Sequence, residues 1–156
     1  MIRLVLVRHA KSDWGDETLD DHDRPLGDRG IRDAPRMARG LAETDFRPEV
    51  ILSSTALRAR TTAEAFAAEF DVAVSLDPEL YGAPARTVLA KAAASGAHSV
   101  IVVAHDPGMS VLAGQLSDHE IEHMPTCAVA TFTWDADDWD AIDELEPDDW
   151  TLSTPR

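Results

Sequence analysis

Apolar residues fall in short, regularly spaced runs along the chain, and the spacing between runs alternates with a helical period. Leu4 to Val7 is an apolar, partly β-branched run, too brief for a helix and suited to a strand buried on both faces. Val50-Ile51-Leu52, Val72-Ala73-Val74 and Val100 to Ala104 repeat the pattern, and Ala128 to Trp134 alternates apolar residues with Thr, which suits a further strand at an edge. Between these runs, Ile31, Ala34, Ala38 and Leu41, with Met37 alongside, recur at helical spacing, so Asp28 to Glu43 reads as an amphipathic helix. Asp28 is its expected N-cap, and Pro35 is expected to bend it or shift its start. A second helix opens at Ser53-Ser54-Thr55 with Leu57, Thr61, Ala65 and Ala68 along one side, and a third runs from Pro84 to Ser95 and ends at Gly96. Pro107 suits the first turn of a fourth. Strands alternating with helices imply right-handed crossovers and a mainly parallel sheet, an α/β fold.

A parallel sheet puts the carboxyl ends of its strands on one edge, where open α/β folds hold their ligands. The chemistry at those ends therefore matters. The first strand runs into Arg8-His9, the second is followed by Arg58 in the first turn of a helix, and the fourth stops at His105. A helix start already favours an anion through its free N–H groups, and an arginine beside it adds a permanently charged fork. Each residue alone has an ordinary structural explanation; their convergence is the informative inference. Lys11, His22 and Arg24 lie in the polar loop after the first strand, where solvated charge is the plainer account of each, and Glu79 sits in the loop after the third.

The chain has 156 residues, enough for one domain, and 1–156 is expected to be that domain. Its formal net charge of −15 is uneven, since no Lys or Arg occurs between Ala92 and Pro155. Such a field repels nucleic acid and anionic membrane surfaces, so neither is an expected partner, and any bound anion must be gripped by a local island of cations in the first half. No apolar run is long enough to cross a bilayer, and Arg8 cuts the first run too early for a signal peptide. Cys127 is the single cysteine, which excludes an internal disulfide and points to the cytoplasm; inside the expected strand it reads as a small hydrophobe.

His119-Glu120-Ile121-Glu122-His123 satisfies the H-E-x-x-H pattern of zinc peptidases. That chemistry needs His119 and His123 on one helical face plus a third ligand, and Pro125 leaves little room for the helix. The extended pattern also fails, because Thr126 and Val129 stand where its Gly and His belong. A zinc hydrolase at His119 and His123 is thus a distant alternative.

Arg8-His9-Ala10, Ser54-Thr55-Ala56-Leu57-Arg58-Ala59-Arg60-Thr61-Thr62 and Ala104-His105-Asp106-Pro107-Gly108 together resemble the signature of the histidine phosphatase superfamily, the phosphoglycerate-mutase-like proteins. Length, the Arg8-His9-Ala10-Lys11-Ser12 opening, Asp23-Arg24-Pro25-Leu26 and Pro125-Thr126 are most similar to the small SixA-type phosphohistidine phosphatases. Ala10 replaces the usual Gly, tolerable only if the backbone there avoids positive φ, and Thr55 replaces Pro. The resemblance implies a three-layer α/β/α fold with a mainly parallel central sheet and an antiparallel edge strand. It implies that His9 is the nucleophile and is transiently phosphorylated, that Arg8 and Arg58 hold the phosphoryl oxygens, and that His105 donates from the opposite side. Arg24 and Lys11 are further candidates for the anion, and Glu79 stands roughly where the family's proton donor comes. No metal or cofactor is implied. A neutral His9 with its pKa depressed by Arg8 and Arg58, and its second ring nitrogen donating to a backbone carbonyl, is the expected active form. The expected substrate is a phosphohistidine-bearing protein of a signalling system, with small phosphorylated metabolites as the alternative, and phosphate, sulfate or a similar anion is the expected occupant of the site.

Overall fold

The computed structural model describes residues 1–155, the side chains of 143 and 144 excepted. Four strands run parallel: β1 (Ile2–Arg8), β2 (Val50–Ser53), β3 (Val74–Leu76) and β4 (Ser99–Ala104). Two more, β5 (Val129–Trp134) and β6 (Asp149–Ser153), complete one six-stranded sheet in the order β3-β2-β4-β1-β5-β6. β5 is antiparallel to both β1 and β6. The fold class is α/β as the alternating runs imply, but β5 lies inside the sheet and β6 forms the edge. Thr131 and Thr133 do not mark an outer strand, because β6 pairs with that side of β5.

Alternation along β1 explains the layers. Leu4 and Leu6 join one core with Val100, Val102, Met109, Leu112, Phe132 and Trp134, while Val5 and Val7 join another with Ile101, Val103, Met37, Leu41 and Phe66. Helices α3 (Ala85–Ala94) and α4 (Gly108–Leu116) cover the first face; α1 (Asp28–Ala42) and α2 (Leu57–Phe70) cover the second. Each large apolar side chain buried this way is worth about 1.5–3 kcal/mol.

Several local expectations are corrected. Gly27, not Asp28, occupies the cap position of α1, and no side chain caps it. Ile31 is exposed; the helix turns Gly30, Ala34, Met37, Ala38 and Leu41 inward instead, and Pro35 does not shift its start. In α2 the buried stripe is Arg58, Ala59, Thr62, Ala63 and Phe66, rotated from the expected Leu57, Thr61, Ala65 and Ala68, because small residues fit the close contact with α1. β3 begins two residues late. Asp71 ends α2 in the left-handed region at φ 56°, and the Val72 N–H caps it on the Ala67 carbonyl, so Val72 and Ala73 serve to leave the helix. Pro107 precedes α4 at its cap rather than lying in its first turn. Cys127 is not in a strand: it occupies a turn at φ 62°, buried, where its amide bonds to the carbonyls of Arg8 and His9, each at 3.0 Å. The acidic stretch before β6 packs against the first core, since Ile142 is buried and the Trp139 indole donates to the Ala97 carbonyl at 2.7 Å.

Candidate active site

Register decides what meets at the carboxyl edge. Arg8 pairs with Ala104 and Ser53 with Val103, so Arg8-His9, Ser53-Ser54 and His105 leave the sheet at one level. His9 is held from its main chain, its N–H donating to the Ala104 carbonyl at 3.1 Å. Ala10 has ordinary negative φ, so the glycine usual there is not required, and its N–H donates to Thr62 Oγ1 at 3.0 Å. The rings of His9 and His105 lie 5.1 Å apart between centroids.

The His9 ring has a fixed tautomer. Nδ1 is 2.7 Å from the Ala10 carbonyl oxygen, which only accepts, so Nδ1 carries the hydrogen and Nε2 keeps its lone pair. Burial, and after it the cations of Arg58, Arg8 and Arg24, pushes His9 down to about 4 despite that hydrogen bond. Burial therefore outweighs the arginines that sequence reasoning credited. His105 falls to about 3, again mainly by burial and then by His9 and Arg58. Its Nε2 lies 2.7 Å from Ser54 Oγ, and its buried Nδ1 has no hydrogen-bond partner among the described residues. Both imidazoles are neutral at physiological pH.

Three arginines surround them. Arg8 Nη1 donates to the Met124 carbonyl at 2.9 Å and lies 3.6 Å from Asp106. Arg58, almost wholly buried, donates to the Asp21 carbonyl at 2.6 Å and to its carboxylate at 2.9 Å. Arg24 is equally buried, donates to Ser12 Oγ at 3.0 Å and stacks on Trp14 at 3.3 Å. Among the described residues, the buried Arg8 Nε, Arg58 Nε, and Arg24 Nε and Nη1 find no hydrogen-bond acceptor. A cluster with more donors than acceptors costs about 1–3 kcal/mol for each one left unmade, which is the standing condition of an anion receptor.

The structure thus brings together Arg8, His9, Arg24, Arg58 and His105. It leaves out Lys11, whose side chain is exposed while its backbone packs under Gly30, where a Cβ would stand 2.3 Å from the Lys11 oxygen. It also ties Glu79 up elsewhere: that carboxylate, in the turn Pro78–Leu80, is exposed and pairs with Lys91 at 2.6 Å. His22 stands at the rim, 2.8 Å from Thr55 Oγ1 and edge-on to Tyr81. His119 and His123 fail the zinc pattern, since residues 117–126 form no helix and Asp118 and His119 have φ of 54° and 65°. Asp21, Tyr81 and Ser54 were not singled out from sequence as site residues. Tyr81, the one tyrosine of the chain, packs on His105 at 5.5 Å and donates to Asp21 at 2.5 Å. Its uniqueness was a signal, whereas Asp21 has no mark distinguishing it from the other aspartates of its loop.

A parallel sheet edge presenting two neutral imidazoles among three guanidinium groups defines a protein that handles phosphoryl groups. A sequence model of the histidine phosphatase superfamily, branch 1, matches residues 4–82. An uncharacterized chloroplastic protein of Arabidopsis thaliana is 31% identical over 164 residues, covering 96% of this chain and 75% of that one. The structure of SixA from Agrobacterium tumefaciens, a candidate phosphohistidine phosphatase, superposes with a TM-score of 0.78 at 33% identity, over 84% of this chain and 91% of that one. The SixA structure from Nakamurella multipartitia, described in the same terms, gives 0.85 at 27% identity over 99% and 96%. The chain belongs to the histidine phosphatase superfamily, with a SixA-type, phosphoglycerate-mutase-like fold, and is a phosphatase.

Proposed function

We propose that this chain, as one domain spanning residues 1–156, is a phosphohistidine phosphatase acting through a phosphoenzyme on His9. The observation that carries the reading is the His9 ring itself: Nδ1 tied to the Ala10 carbonyl, Nε2 bearing a lone pair, and the cations of Arg58, Arg8 and Arg24 close enough to disfavour its protonation. Nε2 attacks phosphorus, the new N–P bond forms as the old bond to phosphorus breaks, and the electron pair leaves with the departing group. Arg8, Arg24 and Arg58 hold the phosphoryl oxygens, where charge-assisted, bidentate contacts are strongest. His105 donates from the other side, with the Ser54 hydroxyl setting its ring. Water then attacks the phosphoenzyme, returns the electron pair to Nε2 and yields inorganic phosphate. No step calls for a metal, because the guanidinium groups neutralise the developing charge.

Similarity to the Agrobacterium protein at 33% identity supports phosphohistidine as substrate and a place in histidine-based signalling. A buried lone Cys127 fits a cytoplasmic protein, and among the described residues no helix is long and apolar enough to cross a membrane. Lys11 and Glu79 receive no part in this mechanism, given their placement.

The test is to trap the phosphoenzyme with a phosphohistidine peptide. An acid-labile, alkali-stable adduct is expected, absent in His9→Ala. Arg58→Ala is expected to lower kcat by about a hundredfold or more. A His9→Ala variant that still forms the adduct removes the assignment.

A further inference from the structure

Beside the phosphoryl grip stands a carboxylate that the transfer chemistry described above does not use. Asp21 begins a short turn of 3-10 helix, Asp21–Asp23, in the loop between β1 and α1. Its Oδ2 accepts from the Tyr81 hydroxyl at 2.5 Å and from Arg58 Nη2 at 2.9 Å. Its Oδ1 lies 3.6 Å from Arg24 Nε, and half of the side chain remains open to solvent, at 51%. Tyr81 is itself partly exposed and bridges inward, edge-on to His105 at 5.5 Å and to His22 at 4.9 Å. A group attached to phosphorus held by Arg58 therefore leaves past a negative oxygen with free lone pairs and an aromatic face.

We propose that Asp21, with Tyr81 and His22 as its walls, is a leaving-group subsite for a protonated nitrogen heterocycle, and that it selects N–P over O–P bonds. The proposal rests on the His9 chemistry given above. Once protonated, as it is near neutrality, N-phosphohistidine carries its proton on the ring nitrogen remote from phosphorus, and the ring is cationic. A carboxylate accepting from that N–H favours the protonated form, and a tyrosine face adds a cation–π contact. When His9 Nε2 attacks, the P–N bond breaks, its electron pair stays on the departing ring, and a neutral imidazole leaves with its proton in place. No general acid is consumed. An alkoxide or phenolate leaving from the same phosphorus instead gains negative charge beside Asp21 and is repelled. The carboxylate is suited to this role because Tyr81, and after it Arg58, holds it below the usual carboxylate range in spite of its partial burial. Held ionised in this way, Asp21 is no proton donor for an ester.

The experiment compares kcat/KM for a phosphohistidine peptide and for p-nitrophenyl phosphate, in the wild type and in Asp21→Asn. Asparagine keeps shape and removes charge. The phosphohistidine value is expected to fall about tenfold or more. The ester value is expected to rise, since Arg58 loses a competing anion, so the ratio shifts by more than an order of magnitude. Tyr81→Phe keeps the aromatic wall and is expected to give a smaller shift in the same direction. A ratio within twofold of wild type in Asp21→Asn, with the His9 adduct still trapped, overturns the subsite alone. A wild type that forms no adduct from phosphohistidine overturns the underlying reading and this one together.

Discussion

At the scale of single residues, the site depends on keeping two histidines uncharged. Unfolded, both titrate near 6.5; folded, His9 does so at about 4 and His105 at about 3. Between those values the unfolded chain binds more protons than the native one, so stability falls as the pH drops from 6.5 towards 4, and His105 extends the loss to about 3. Nitrogen NMR of the free enzyme should show the His9 ring neutral, with its hydrogen on Nδ1, down to about pH 4. A midpoint near 6.5 contradicts the burial described here. The need for a neutral ring was legible in Arg8-His9; the dominance of burial over the neighbouring cations was not, because solvent exclusion depends on packing from distant segments. The same reason hid Asp21, whose value comes from the Tyr81 hydroxyl sixty residues away.

Among the elements, the strands were easiest to read, since four short apolar runs separated by helices permit few arrangements. Helix faces were harder. Small residues such as Ala59 and Ala63 serve as well inside as outside, so periodicity could not choose the buried stripe of α2; Arg58, legible as an anion ligand from its place in the first turn, proves to lie on that stripe. The site also depends on a close approach that the sequence marks with one glycine. A Cβ on Gly108, at the start of α4, would stand 2.1 Å from the Ala83 carbonyl oxygen. That contact seats the Tyr81–Ala83 segment against the helix that follows His105. Gly108→Ala is expected to cost about 1–3 kcal/mol, through displacement of backbone rather than of a flexible side chain. Thermal unfolding should register the loss, and kcat/KM should fall with it as Tyr81 moves off His105. An unchanged melting temperature rules out the tight contact.

Across the whole molecule, a net charge of −15 surrounds an anion receptor. The long-range field opposes a phosphorylated substrate, while the arginines attract it at contact distance, and salt separates the two effects. At 0.1 M the screening length is about 10 Å, long enough to leave the contacts intact and short enough to mute distant carboxylates. The kcat/KM for p-nitrophenyl phosphate is therefore expected to rise between 10 and 100 mM salt, about twofold or more. A steady fall over that range means that the arginine cluster governs approach as well as grip. The order of the sheet carries a last consequence, for how the molecule comes into being. β1 displays His9, yet its two neighbours, β4 and β5, are drawn from residues 99–134. While the first ninety-eight residues emerge from a ribosome, that strand has nothing to pair with. Competence to take a phosphoryl group thus arrives late in synthesis, and all at once, when β4 slots between β2 and β1 and brings His105 with it.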